Sequence, residues 1–91
     1  MSDRATRIRT ALDAQFQPLR LEVVDDSHMH AGHAGARPEG ETHYSVLLVS
    51  PSFSGMSRVN RSRAVHAALA AEFANGLHAL ALTLRAPEEL G

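Results

Sequence analysis

The sequence predicts an α+β domain, a two-layer sandwich with helices against a three-stranded sheet in the order α-β-β-α-β. Three observations predict it. Apolar residues recur at helical spacing over residues 3–16 and 57–75, three other stretches alternate or run apolar as strands do, and proline and glycine mark the joints. Ninety-one residues make one domain, 1–91 with a core of about 3–86. A chain this short buries roughly 60–65% of its unfolded surface and cannot hold two separate cores.

The first helix places Ala5, Ile8, Ala11, Leu12 and Phe16 on one face, with Arg4, Arg7, Arg9 and Asp13 elsewhere on its surface. Ser2 or Asp3 caps its start, and Pro18 stops it. Leu19-Arg20-Leu21-Glu22-Val23-Val24 then alternates as a strand, with Leu19, Leu21 and Val23 on one face. From Ser27 to Gly40 there are three glycines, a proline and no apolar period, so the spacing predicts a loop of about 14 residues. With so little to bury, such a loop is expected to be mobile.

Thr42 to Val49 begins by alternating and becomes apolar on both sides, the signature of a central strand. Pro51-Ser52-Phe53-Ser54-Gly55 breaks it. Ser57 caps a long helix running to about Asn75, with Val59, Val65, Leu69 and Phe73 as its expected buried stripe and Gly76 just past its end. The last strand starts at Leu77, and His78 shares a face with Leu80, Leu82 and Leu84. Residues 87–91 are expected to form a frayed polar tail.

Composition narrows the function. Nine arginines and no lysine against ten acidic residues give a net charge of -1, which argues against a generally basic nucleic-acid binder. No stretch approaches the ~20 apolar residues of a membrane span, so a soluble, cytoplasmic protein is expected. Cysteine is absent, which excludes disulfides and a thiol nucleophile; an iron-sulfur cluster would need thiolates from elsewhere. No nucleotide loop, nucleophile elbow or paired-carboxylate site is present, and the protein reads as a non-enzyme.

Against that background six histidines stand out, three of them in the run Asp26-Ser27-His28-Met29-His30-Ala31-Gly32-His33. Imidazole is the commonest protein ligand for borderline metals, and closely spaced histidines on a loop can converge on one ion. His30 and His33 lie where no packing calls for imidazole, although a solvated loop accounts for them equally well. His78 is a titratable group on an apolar strand face; it is either a core histidine satisfied by a carbonyl or a functional group at the strand mouth. If functional, its ring is reachable from solvent beside the Ser27–Gly40 loop. His43 reads as a strand-entry residue and His66 as a helix-surface one, and neither receives a role. Arg58, Arg61 and Arg63 crowd the start of the long helix, where the macrodipole is already positive; they form an anion contact or a solvated face.

The segments Leu21-Glu22-Val23-Val24-Asp25-Asp26-Ser27-His28, Gly40-Glu41-Thr42-His43-Tyr44, Leu48-Val49-Ser50 with Phe53 and Gly55, and Glu72 to Leu80 resemble the BolA family in order and spacing, from about residue 5 to 87. The resemblance implies an αββαβ core with a short extra helical turn, similar to class II KH domains. It also implies a partnership with monothiol glutaredoxins, in which the two proteins share a [2Fe-2S] cluster, with glutathione, for iron-sulfur assembly, trafficking and iron signalling. His78 matches the family's C-terminal histidine, the expected cluster ligand. His30 falls where members carry a histidine or cysteine after the first strand, with His33 the second candidate. Two departures stand out. The family's Arg-His-Arg is here Arg61-Ser62-Arg63, and Gly55 lacks the second glycine of a Gly-x-x-Gly nucleic-acid clamp. A DNA-binding regulator using Arg58, Arg61 and Arg63, with weak DNA affinity, is the alternative.

Overall fold

The computed structural model describes residues 4–26 and 43–90. The expected Ser27–Gly40 loop with His30 and His33, the cap at Ser2 or Asp3, and Gly91 lie outside the described residues. Helix α1 spans Arg4–Phe16 and buries Arg4, Ile8, Leu12 and Phe16, a strict four-residue spacing that keeps one stripe on the core. Arg4 is thus not a surface residue as expected. Its Nε donates to Glu72 Oε1 at 3.1 Å and its guanidinium donates to the Asn75 carbonyl, which makes burial tolerable. Gln17, with φ 47°, turns the chain out of the helix ahead of Pro18.

Strand β1 (Arg20–Asp25) pairs antiparallel with β2 (His43–Val49), and β2 pairs parallel with β3 (Ala79–Arg85), so the expected central strand is central. Leu19 falls just before β1 and is 69% exposed, leaving Val23 as the buried anchor of that strand. At the far end of β2 the chain is pinned. Ser50 is fully buried, its backbone N–H donating to Arg85 at 3.0 Å and its hydroxyl to the Phe16 carbonyl at 2.6 Å. It also accepts from Ser52 N–H to cap the short 3-10 turn Pro51–Phe53. Phe53 then enters the core against Phe16, ring centroids 5.1 Å apart.

The expected single long helix is two helices, α2 (Arg58–Ala68) and α3 (Ala70–Ala74), parted by a turn at Leu69. Ser57 caps α2 by accepting from Asn60 N–H at 3.1 Å. The expected stripe fails at Val59, which is 57% exposed, because it lies six residues from Val65 and so about 120° round the helix. The stripe runs Arg61, Val65, Leu69. Gly76 ends the pair of helices at φ 112°, a conformation that favours glycine. Nor do residues 87–90 fray as expected: Pro87–Glu89 forms a 3-10 turn held by Glu89, whose carboxylate accepts from Ala86 N–H and from Arg61.

Ile8, Leu12, Leu48, Phe53, Val65 and Leu69 make up the centre of the core, between the helices and one sheet face. Fully burying each such side chain contributes roughly 1.5–3 kcal/mol of transfer free energy.

Candidate metal centre

Parallel strands begin at the same end of a sheet, and β2 and β3 begin in register, His43 opposite Ala79. His78 immediately precedes Ala79. The two imidazoles are neighbours, with ring centroids 5.4 Å apart and planes tilted by 44°. His78 is exposed and His43 half-buried. His78 is thus the solvent-reachable group of the two alternatives the sequence left open, and it stands just before β3.

Both residues that flank segment 27–42 sit at this same end. The Asp26 N–H donates to the His43 carbonyl at 2.8 Å, extending the β1–β2 ladder by one bond. The Asp26 carboxylate accepts from the Ser45 hydroxyl. The stems that carry His30 and His33 thus arise beside His78, although those two residues lie outside the described ones. Among the described residues, no group of three or more histidine, aspartate or glutamate side chains is placed to hold a metal ion. His66, at the far end of α2, stacks on Phe73 with centroids 5.0 Å apart.

His43 is what the sequence reading missed. Its signal was available only through topology: once the last two strands run parallel, the residue opening one and the residue preceding the other lie at the same end of the sheet.

The arginine cluster needs correction. Arg61 is 5% exposed and its guanidinium is fully engaged: Nη1 and Nη2 donate to Glu89 at 2.6 and 2.8 Å, Nε to the Met56 carbonyl at 3.1 Å, and Nη1 to the Leu84 carbonyl at 3.3 Å. It also lies 5.8 Å from the centre of the Phe53 ring. The Arg61 hydrogen bond, with help from Ala86 N–H, holds the Glu89 carboxyl down at about 2, and Glu89 in turn raises the Arg61 pKa. Arg61 is structural. Only Arg58 and Arg63 of the three remain exposed, without an ion pair among the described residues.

What these observations define is a small two-layer α+β domain that offers imidazoles, and no thiolate, at one end of its sheet. The family model "BolA-like protein" matches residues 12–89. The chain belongs to the BolA-like family. It is 42% identical over 91 residues to "Protein BOLA1, chloroplastic" of Arabidopsis thaliana, covering 98% of this chain and 57% of that protein. It is 40% identical to "SufE-like protein 1, chloroplastic/mitochondrial" of the same plant, spanning 99% of this chain and 25% of that one. To the "DNA-binding transcriptional regulator BolA" of Escherichia coli it is 46% identical over 76 residues, 84% of this chain and 69% of that protein. The chain therefore spans about half and a quarter of the two plant relatives. Among solved structures, the BolA domain of SufE1 from Arabidopsis thaliana superposes with a TM-score of 0.87 at 40% identity, covering 98% of both chains. No helix among the described residues is long and apolar enough to cross a membrane.

Proposed function

We propose that this chain is a non-enzymatic adaptor of iron-sulfur assembly and trafficking that shares a [2Fe-2S] cluster with a monothiol glutaredoxin. The cluster is cargo. His78 and one loop histidine, His30 or His33, supply imidazoles, while glutaredoxin and glutathione supply the thiolates this chain lacks. One observation carries the reading: His78 is exposed at the sheet end from which both stems of segment 27–42 arise. Membership of the BolA-like family is the second support. Replacing thiolates with neutral imidazoles raises a cluster's reduction potential and makes its ligation sensitive to pH, properties suited to transfer or sensing.

Mixing the chain with a reconstituted monothiol glutaredoxin and recording the visible spectrum tests the reading. His78→Ala is expected to abolish the histidine-type spectrum, His30→Ala to weaken or shift it, and His33→Ala to do less. An unchanged spectrum for His78→Ala overturns it.

The Escherichia coli relative carries DNA binding in its name, which keeps the regulator reading as the second one. Burial of Arg61 cuts its basic cluster to Arg58 and Arg63. With two phosphates neutralised, the slope of log K against log salt is no steeper than about -2. Tight, salt-tolerant, sequence-selective duplex binding that is lost on replacing Arg58 and Arg63 with alanine would promote this reading over the first.

A further inference from the structure

We infer that His43 and His78 together form a two-histidine site that binds one borderline divalent metal ion, of the zinc or nickel class, in the chain alone. The distance between the rings carries the inference. A metal–nitrogen bond is about 2.0–2.1 Å, and the ring centroid lies about 1.2 Å beyond the nitrogen, so two imidazoles on one tetrahedral ion have centroids roughly 5 Å apart. The observed separation is 5.4 Å, with planes tilted by 44° rather than stacked face to face. Little movement is required to close such a site. The pair is also tethered from the backbone: His43 opens β2, paired with Ala79, and His78 stands one residue before that pair.

Burial supports the same assignment. His43 is half-buried and orients within the sheet, whereas His78 is exposed and leaves an approach for the ion. With no third ligand among the described residues, water completes the coordination sphere, so the ion stays exchangeable. Nitrogen ligands without thiolate select zinc, nickel or copper over magnesium or calcium. An ion bound by the chain alone requires no glutaredoxin, so failure here and failure of the cluster reading are separate events.

Titration of the full chain with zinc chloride, followed calorimetrically and through the histidine ring NMR signals at a pH where imidazole is neutral, tests the inference. The parent is expected to take up one zinc per chain, with the His43 and His78 ring signals moving together. His43→Gln and His78→Gln, which keep a polar side chain of similar reach, should each weaken zinc binding by at least about tenfold. The double variant His30→Ala/His33→Ala should bind within about twofold of the parent, since it retains both ligands. Unfolding midpoints of all variants show that the fold is retained. Absence of saturable binding by the parent overturns the inference. So does binding by His43→Gln that matches the parent, or loss of binding in the loop variant with His43→Gln unaffected.

Discussion

The two ends of the sheet are built to opposite specifications. At the Ser50 end, β2 finishes in a buried hydroxyl, a phenylalanine pair and an arginine bonded to a carboxylate and two carbonyls, contacts that, apart from the local one to Met56, join segments 23 to 37 residues apart. At the His43 end, β1 and β2 are joined by one bond beyond the ladder, from Asp26 to His43, and the imidazole that follows α3 faces water. The side-chain anchors of β2 gather at its finish, and the proposed ligand site lies at its start. A ligand site placed away from the anchoring contacts can exchange groups with a partner without loosening the core, and the anchored end keeps the strand starts in register while it does so.

Phe53→Ala should break the comparison most severely. It removes a fully buried ring packed on Phe16 and beneath Arg61, and the expected cost is about 3–5 kcal/mol, a large part of a small domain's stability. Denaturant unfolding reads it directly, and a cost under about 1 kcal/mol would show that the Ser50 end is not the anchor. Ser50→Ala comes next, at about 1–2 kcal/mol, because the Phe16 carbonyl loses its shorter hydrogen bond while Ser52 still donates at 3.3 Å.

Acid should weaken that end through Glu89, and the junction of α1 with α3 through Glu72. Glu89 has its pKa lowered to about 2, chiefly by the Arg61 hydrogen bond, and Glu72 is lowered as well, first by its hydrogen bond to Arg7. A carboxyl depressed in the folded state stabilises fully above its unfolded value of about 4.5, and that contribution disappears as the pH falls from there toward about 2. Midpoints measured from pH 6 downward should therefore fall in that window, and Glu89→Gln should flatten the fall. Identical curves for Glu89→Gln and the parent would remove the Arg61 pair from the account. The smallest stability effect belongs to the open end: His78→Ala should change unfolding free energy by no more than about 0.5 kcal/mol, although it is expected to abolish the spectrum of the heterocomplex. A large stability loss there would make His78 a packing residue.

Local pattern carried the order of elements, the central position of β2 and the glycine at the end of the helices, since each depends on spacing within about a dozen residues; the last strand begins at Ala79, two residues later than expected, which leaves His78 just outside it. What escaped it depends on distant pairing. Both helical stripes begin with an arginine, Arg4 in Arg4-Ile8-Leu12-Phe16 and Arg61 in Arg61-Val65-Leu69, and each is buried only because a carboxylate 68 or 28 residues away meets it. A hydrophobicity pattern reads such arginines as surface. That is why Arg4 reads as a surface residue, Arg61 as an anion contact or part of a solvated face, and Glu89 as part of a frayed tail. The meeting of His43 with His78 was hidden for the same kind of reason, since it follows from the parallel pairing of two strands separated by α2 and α3.

The outer side of β3 bears on how this protein survives at high concentration. Among the described residues the sheet has three strands, so Ala79–Arg85 is an edge whose outward N–H and C=O groups pair with no further strand. Its sequence, Ala-Leu-Ala-Leu-Thr-Leu-Arg, has no proline and a single charge at its last position. Edges of this kind are templates for strand addition, the first step of edge-to-edge aggregation, and natural proteins commonly guard them with an interior lysine, a bulge or a proline. Here the guard is terminal, at Arg85. Heat that frays the neighbouring helices is thus expected to expose an apolar ribbon along this edge.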